Sequence, residues 1–177
     1  MKNPAMKRHE VVQPQDQSIK LIPLTKGLNT IVMAHRYDEL SKFNWCACKS
    51  RDGFIAVRRT GGRLLPMHEV ICQCPDGMRP DHINGDHLDN RDDNLRPATH
   101  QKNMMNRGPQ KNNTSGYKGV TYDKNRNQWM AQIKFNKVHT GIGRFNSIID
   151  AARAYDRKAI ELFGDFARTN FARSDYD

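Results

Sequence analysis

Residues 81–96 read DHINGDHLDNRDDNLR. The first fifteen of them hold five Asp, three Asn, two His and one Gly. That composition suits either a site for a hard cation or a tightly wound polar turn. An EF-hand calcium loop is excluded by spacing. It needs oxygen ligands at its third and fifth positions, Gly at the sixth and Glu at the twelfth. Counting from Asp81, those positions are Ile83, Gly85, Asp86 and Asp92. A polar turn built from Asn, Asp and Gly for backbone reasons alone stays open.

The acids stand in a basic chain. Lys and Arg number 29 against 19 Asp and Glu, the formal net charge is +10, and the pI is near 9.7. A polyanionic partner is expected, nucleic acid first. Hydrophobic residues are 37% and mean hydropathy is -0.84, which favours two small domains over one large core. The start, MKNPAMKRHEVVQPQDQ, has no apolar signal region, and no run reaches membrane-spanning length. The expectation is an intracellular, cytoplasmic protein with no membrane partner. Its thiols would then be reduced. Cys46, Cys48, Cys72 and Cys74 form two C-x-C pairs. Neighbours two apart on a strand share a face, so a structural zinc site is one reading and four separate thiols the other.

Residues 1–18 read as a flexible tail. IKLIPLTKG, NTIVMA, FNWCACKS, GFIAVRRT and RLLPMHEVI follow as short strands, with hairpin turns at RDG (51–53) and TGG (60–62). ATHQKNMMNR (98–107) reads as a short helix with Thr99 as N-cap. GPQKNNTSG (108–116) has no apolar residue, and 108–114 is the expected linker. Beyond it, Trp129, Ala131, Ile133 and Phe135 alternate with Met130, Gln132 and Lys134. With GYKGVTY before and VHTGIGRF after, they predict a three-stranded antiparallel sheet. SIIDAARAYDRKAIELFG repeats apolar residues at helical spacing, with Ser147 or Asn146 as N-cap and Gly164 at the end. Such a helix covers one sheet face and leaves the face of Gln132 and Lys134 open.

Asp81, His82, Asn94 and Asn103 fit the pattern D-H-x11-N-x8-N. Together with NGD, DNR and NLR, this segment resembles the HNH homing endonucleases of phages and mobile elements. The likeness runs over about 20–107 and includes PLTKG, DGF, RR and the MH of MHEVI, although Glu69 replaces the usual Arg. The resemblance implies a ββα-metal motif at about 66–107, within an α+β nuclease domain over 19–107. It further implies a divalent cation, Mg²⁺ or Mn²⁺, held by Asp81 and Asn103. His82 would be general base, and Asn94 the residue that braces the loop. Oxygen ligands suit a hard cation, and an imidazole of ordinary pKa near 6.5 suits proton abstraction at neutrality. His100, one helical turn before Asn103, is a further candidate contact to metal or phosphate. His87 reads as a solvated turn residue, and His68 as packing or substrate-positioning.

YKGV (117–120), Trp129, IGRF (142–145), AARAYD (151–156) and NF (170–171) resemble the APETALA-two/ethylene-response-factor DNA-binding domain over about 115–171, within an expected domain at 115–173. In that family a three-stranded sheet lies in the major groove, with the helix behind it. Matching positions imply that Lys118, Thr121, Gln132, Lys134, His139 and Arg144 contact double-stranded DNA. Gly141 stands where plant members have a second Trp, so their target sequence is not carried over. The expected activity is therefore phosphodiester hydrolysis directed by a sheet-borne DNA reader. A monomer with one site favours nicking, and a homodimer allows cutting of both strands. A non-catalytic DNA-binding regulator with a degenerate nuclease fold is the competing reading, and RNA is the competing substrate.

Overall fold

A computed structural model describes residues 9–176. The chain divides into two units, one reaching to His100 and the other starting at Gln101. Helices and antiparallel strand pairs alternate irregularly, an α+β organisation.

In the first unit β1 (Ile19–Pro23) pairs with β2 (Asn29–Met33), and α1 (Ala34–Leu40) follows. β3 (Cys46–Ser50), β4 (Gly53–Thr60) and β5 (Arg63–Pro66) form a sheet in that order. Both expected hairpin turns are present. At Gly61 and Gly62 φ is 53° and 78°, the left-handed pair that a two-residue hairpin between Thr60 and Arg63 requires. Ile22, Leu24, Val32, Leu40, Trp45, Ala47, Ala56, Met67, Ile71 and Leu95 make the core. Trp45 is fully buried and donates its indole N–H to the Leu40 carbonyl at 2.8 Å.

Two helices depart from the sequence reading. MHEVI, expected as strand, is α2 (Met67–Ile71). Met67 and Ile71 are four apart and both reach the core, and five residues are too few to separate that period from strand alternation. α1 was not among the expected elements. Only Leu40 of its seven residues is buried, so it shows no periodicity. Residues 9–18, read as tail, are tied down. The Gln13 amide donates to the Leu21 carbonyl at 3.0 Å and accepts from its N–H at 2.9 Å. The rest of that expectation, residues 1–8, lies outside the described residues. β6 (Arg79–His82) and β7 (Leu95–Ala98) close the unit as a hairpin whose long loop is the acidic segment.

The second unit opens with α3 (His100–Met105), most of which it contains. Residues 108–114 carry no strand or α-helix. β8 (Val120–Asp123), β9 (Gln128–Phe135) and β10 (Val138–Phe145) form the expected antiparallel sheet, ordered β10-β9-β8. α4 (Ile148–Phe163) begins with the Asp150 N–H donating to Ser147 Oγ at 3.3 Å and ends at Gly164, where φ is 55°. Its Ala151, Ala152, Tyr155, Ala159 and Phe163 pack with Val120, Ala131 and Ile133. Gly119 is required where Tyr155 crosses the sheet. Its φ is +75°, and a Cβ there would stand 2.0 Å from the Tyr155 ring.

AARAYD and NF are joined by a buried carboxylate. Asp156 is 0% exposed and accepts from the backbone N–H groups of Asn170 and Phe171, the Asn170 side chain and the Tyr176 hydroxyl, at 2.8–3.0 Å. Helical spacing alone placed apolar residues on this helix and gave no sign of a buried acid.

Candidate functional site

The acidic loop is wound by its own side chains. Asn84 Oδ1 accepts from the Asp86 N–H at 2.8 Å, and Asp86 Oδ1 from the Leu88 N–H at 2.9 Å. Asn94 is buried at the far end. Its amide donates to the Asp89 carbonyl at 2.8 Å and to Asn84 Oδ1 at 3.0 Å, and accepts from the Asn84 N–H at 3.0 Å. Burial alone would raise Asp89, but the Arg91 fork at 2.7 and 2.8 Å, helped by Asn84, holds its carboxyl below the usual range. Asp92 is clasped from α1 by Arg36 at 2.7 Å.

β2 fastens the loop from outside. The Ile31 N–H donates to the Leu88 carbonyl, and the Asn90 N–H to the Ile31 carbonyl, both at 2.8 Å. The Thr30 hydroxyl donates to the Leu88 carbonyl at 2.7 Å, so its oxygen accepts from the Asn90 amide, also at 2.7 Å. Asn90 Oδ1 is thereby turned towards His82 Nε2, 3.3 Å away. An amide oxygen only accepts, so His82 Nε2 carries the proton and Nδ1 the lone pair. The sequence reading had Asn90 as loop architecture and missed that it orients the histidine. Its other partner, Thr30, is 60 residues away, and no local pattern connects them.

Asp81 and His82 are adjacent in β6, 3% and 6% exposed, on opposite faces of the hairpin. Arg96, opposite Asp81 in β7, donates Nε to Asp81 Oδ2 at 3.0 Å. Burial lowers the His82 pKa, with the Asn90 bond only partly opposing it, so the neutral imidazole dominates at neutral pH. Two further imidazoles flank it. The His68 ring, from α2, meets His82 edge-on at 5.2 Å, and the His87 ring lies at 5.2 Å from the loop. Burial, then His82 and His87, bring His68 down to about 4. His87 is thus a half-buried neighbour of His82 rather than the solvated turn residue expected.

Asn103 is half-buried in α3, with His100 exposed one turn before it. Among the described residues no group of three or more His, Cys, Asp or Glu side chains is arranged to hold a metal ion. Cys72 and Cys74 thiols are 3.5 Å apart, and burial followed by Cys74 raises Cys72 to about 11. Cys46 and Cys48 line the face of β3 opposite the buried Ala47. Among the described residues the four cysteines form no group of three or more side chains arranged to hold a metal ion.

Pairing registers align five of the six expected DNA contacts in the second unit. Thr121 and Arg144 flank Met130, Gln132 faces Gly141, and Lys134 faces His139. Directly paired residues share a face, so Thr121, Gln132, Lys134, His139 and Arg144 lie opposite the helix-covered side of Ala131 and Ile133. Lys134, His139, Thr121 and Arg144 are exposed. Arg144 also approaches Asp123 at 3.6 Å. Lys118 is the exception. It precedes the sheet, is half-buried, and donates Nζ to the Met105 carbonyl at 2.6 Å. No helix among the described residues is long and apolar enough to cross a membrane.

An HNH endonuclease family model matches residues 73–105, and an AP2 domain model matches residues 115–165. An uncharacterised HNH endonuclease of Acanthamoeba polyphaga mimivirus is 30% identical over 151 residues, covering 82% of this chain and 76% of the relative. Protein 3.8 of Escherichia phage T7 is 36% identical over 95 residues, 53% of this chain and 77% of its own length. APETALA2-like protein 2 of Oryza sativa is 38% identical over 82 residues, 46% of this chain but 18% of the plant protein.

Proposed function

Since the chain belongs to the HNH endonuclease family and carries an AP2 domain, we propose that it is a metal-dependent DNA endonuclease directed by its second unit. The observation that carries this reading is the hydrogen-bond relay from Thr30 through Asn90 to His82. It presents a neutral imidazole lone pair at Nδ1 beside a strand neighbour, Asp81, whose carboxylate Arg96 orients. A turn formed for backbone reasons alone would not need this relay.

The donor chemistry of the hairpin and α3 fits a hard divalent cation. Asp81 and Asn103 would hold Mg²⁺ or Mn²⁺ through oxygen, and the ion would neutralise charge on the phosphate and the leaving oxygen. His82 is not a ligand in this reading. Its Nδ1 takes a proton from a water as that water's oxygen bonds to phosphorus, and the phosphorus–oxygen bond to the leaving nucleoside breaks. Asn90 holds the imidazole in the reactive tautomer. Asn94 fixes the loop that carries Asn90. His100 is a candidate phosphate contact at the exposed start of α3. The sheet face of Thr121, Gln132, Lys134, His139 and Arg144 would read double-stranded DNA, with Lys134 and Arg144 supplying phosphate contacts.

Supercoiled plasmid tests the metal reading. Cutting should require Mg²⁺ or Mn²⁺, stop in EDTA, and be lost in Asp81→Ala. Full cutting in EDTA, or by Asp81→Ala, would overturn it. Whether one strand or two are cut is read from the same gel.

A further inference from the structure

α3 holds Asn103, yet its contacts in the second unit bind it to the DNA reader. At its first turn the Gln101 amide donates to Asn136 Oδ1 at 2.5 Å, in the turn between β9 and β10. The Lys102 ammonium lies over the Phe166 ring, 5.0 Å from its centre. Met105 packs against the apolar core under α4. At the last turn Lys118 Nζ meets the Met105 carbonyl, one of the four carbonyls that a helix end leaves without an internal partner.

The backbone behind Lys118 is itself hydrogen-bonded. Its backbone N–H donates to Asn170 Oδ1 at 2.7 Å, and its carbonyl accepts from the Asn170 amide at 3.1 Å. Asn170 is in turn bound by the fully buried Asp156 of α4. A continuous series of bonds therefore runs from the centre of the reader's helix to the carbonyl two residues after Asn103.

We propose that Lys118 is a positioning residue for cleavage, which clamps the end of α3 so that Asn103 is held by the DNA-reading unit itself. This rests on reading Asn103 as a metal ligand. The clamp makes that candidate ligand part of the second unit. Lys118 is also desolvated. Burial, then Arg168, lower it to about 8 against partial opposition from Asp156. An ammonium kept in such surroundings is held by its carbonyl partner rather than offered to a phosphate.

The test uses the full chain and three variants. Lys118→Met removes the donor but keeps the length, Lys118→Arg keeps a cationic donor, and Asn103→Ala removes the proposed ligand. Mn²⁺ affinity is measured by calorimetry, duplex affinity by gel shift without metal, and single-turnover cleavage on plasmid. Lys118→Met should weaken Mn²⁺ binding about tenfold, as loss of a ligand-orienting group does, and slow cleavage at limiting metal. Duplex affinity should stay within about twofold, because the sheet face retains its phosphate contacts. Lys118→Arg should recover most of the metal affinity. Unchanged Mn²⁺ affinity in Lys118→Met, with Asn103→Ala impaired, overturns the clamp and leaves the metal reading standing. An unimpaired Asn103→Ala overturns the metal reading and the clamp with it. A loss of duplex affinity in Lys118→Met as large as the loss of cleavage returns Lys118 to the role of DNA contact. If Lys118→Met does not fold, Gln101→Ala decides the matter from the exposed end of the helix. It should weaken Mn²⁺ binding in the same direction, and wild-type affinity there refutes the clamp.

Discussion

Asn94→Ala isolates the brace from the chemistry. Asn94 is 5% exposed, and its side chain makes three hydrogen bonds, to the Asp89 carbonyl, Asn84 Oδ1 and the Asn84 N–H. Each is worth about 1 kcal/mol net, with more lost where a buried partner is left unpaired. The three share one amide and add less than independently, but their buried partners are left unpaired, and with these opposing corrections about 3 kcal/mol is the expected cost. Backbone bonds to the Ile83 N–H and the Arg91 carbonyl remain. The chain has two tryptophans. Trp45 is buried in the first unit and Trp129 is in the second. In a Trp129→Phe background, Trp45 fluorescence therefore follows the first unit alone. With a urea slope of roughly 1.5 kcal/mol per molar for a small unit, the midpoint should fall by about 2 M. Asn94→Asp keeps the size but turns an acceptor towards two acceptors, and it should be at least as damaging. Cleavage should fall in both variants, because Asn90 and through it His82 depend on the loop. A midpoint shift equivalent to less than about 0.5 kcal/mol, the range of an ordinary surface change, would refute the brace.

Two further outcomes follow from the same geometry. His68 is held near 4 in the fold against 6.5 when exposed, so the folded state resists its protonation. Stability from this group is complete above pH 6.5 and is lost as pH falls towards 4, by up to about 3 kcal/mol. Urea titrations of the native chain and of His68→Phe should diverge in slope with pH only within that window, and parallel curves would remove the effect. Lys134 is exposed on the open face of the second unit's sheet. Lys134→Ala should lower duplex affinity and reduce the slope of log affinity against log salt by about 0.9, and an unchanged slope in a salt-series gel shift would take Lys134 off the phosphate backbone.

The second unit was the more legible. β9 alternates strictly, its turns are marked by polar residues, and the apolar residues of α4 recur at helical spacing. These local patterns were enough to identify the sheet, the helix and the open face. Its buried centre was hidden, because Asp156 looks like any helix-surface acid until Asn170 and Tyr176 fold back on it. The spacing of Asp81, His82, Asn94 and Asn103 was visible, but what surrounds His82 was not. Thr30 bonds Asn90 across 60 residues of sequence, Asn90 in turn meets His82, and His68 reaches His82 from α2. MHEVI was too short to show that His68 is helical. Lys118 was assigned to DNA by its place in YKGV, whereas the structure gives its ammonium a carbonyl partner at the end of α3.

His82→Ala under single-turnover conditions tests the central claim most directly. With saturating Mg²⁺ and plasmid fully bound, removal of a general base should slow cutting at least about 100-fold. Metal-free duplex affinity should stay within about twofold, since the open sheet face proposed to contact DNA is untouched. Cutting within about tenfold of the native rate, or duplex affinity that falls in step with cutting, would contradict the assignment of His82 as the base.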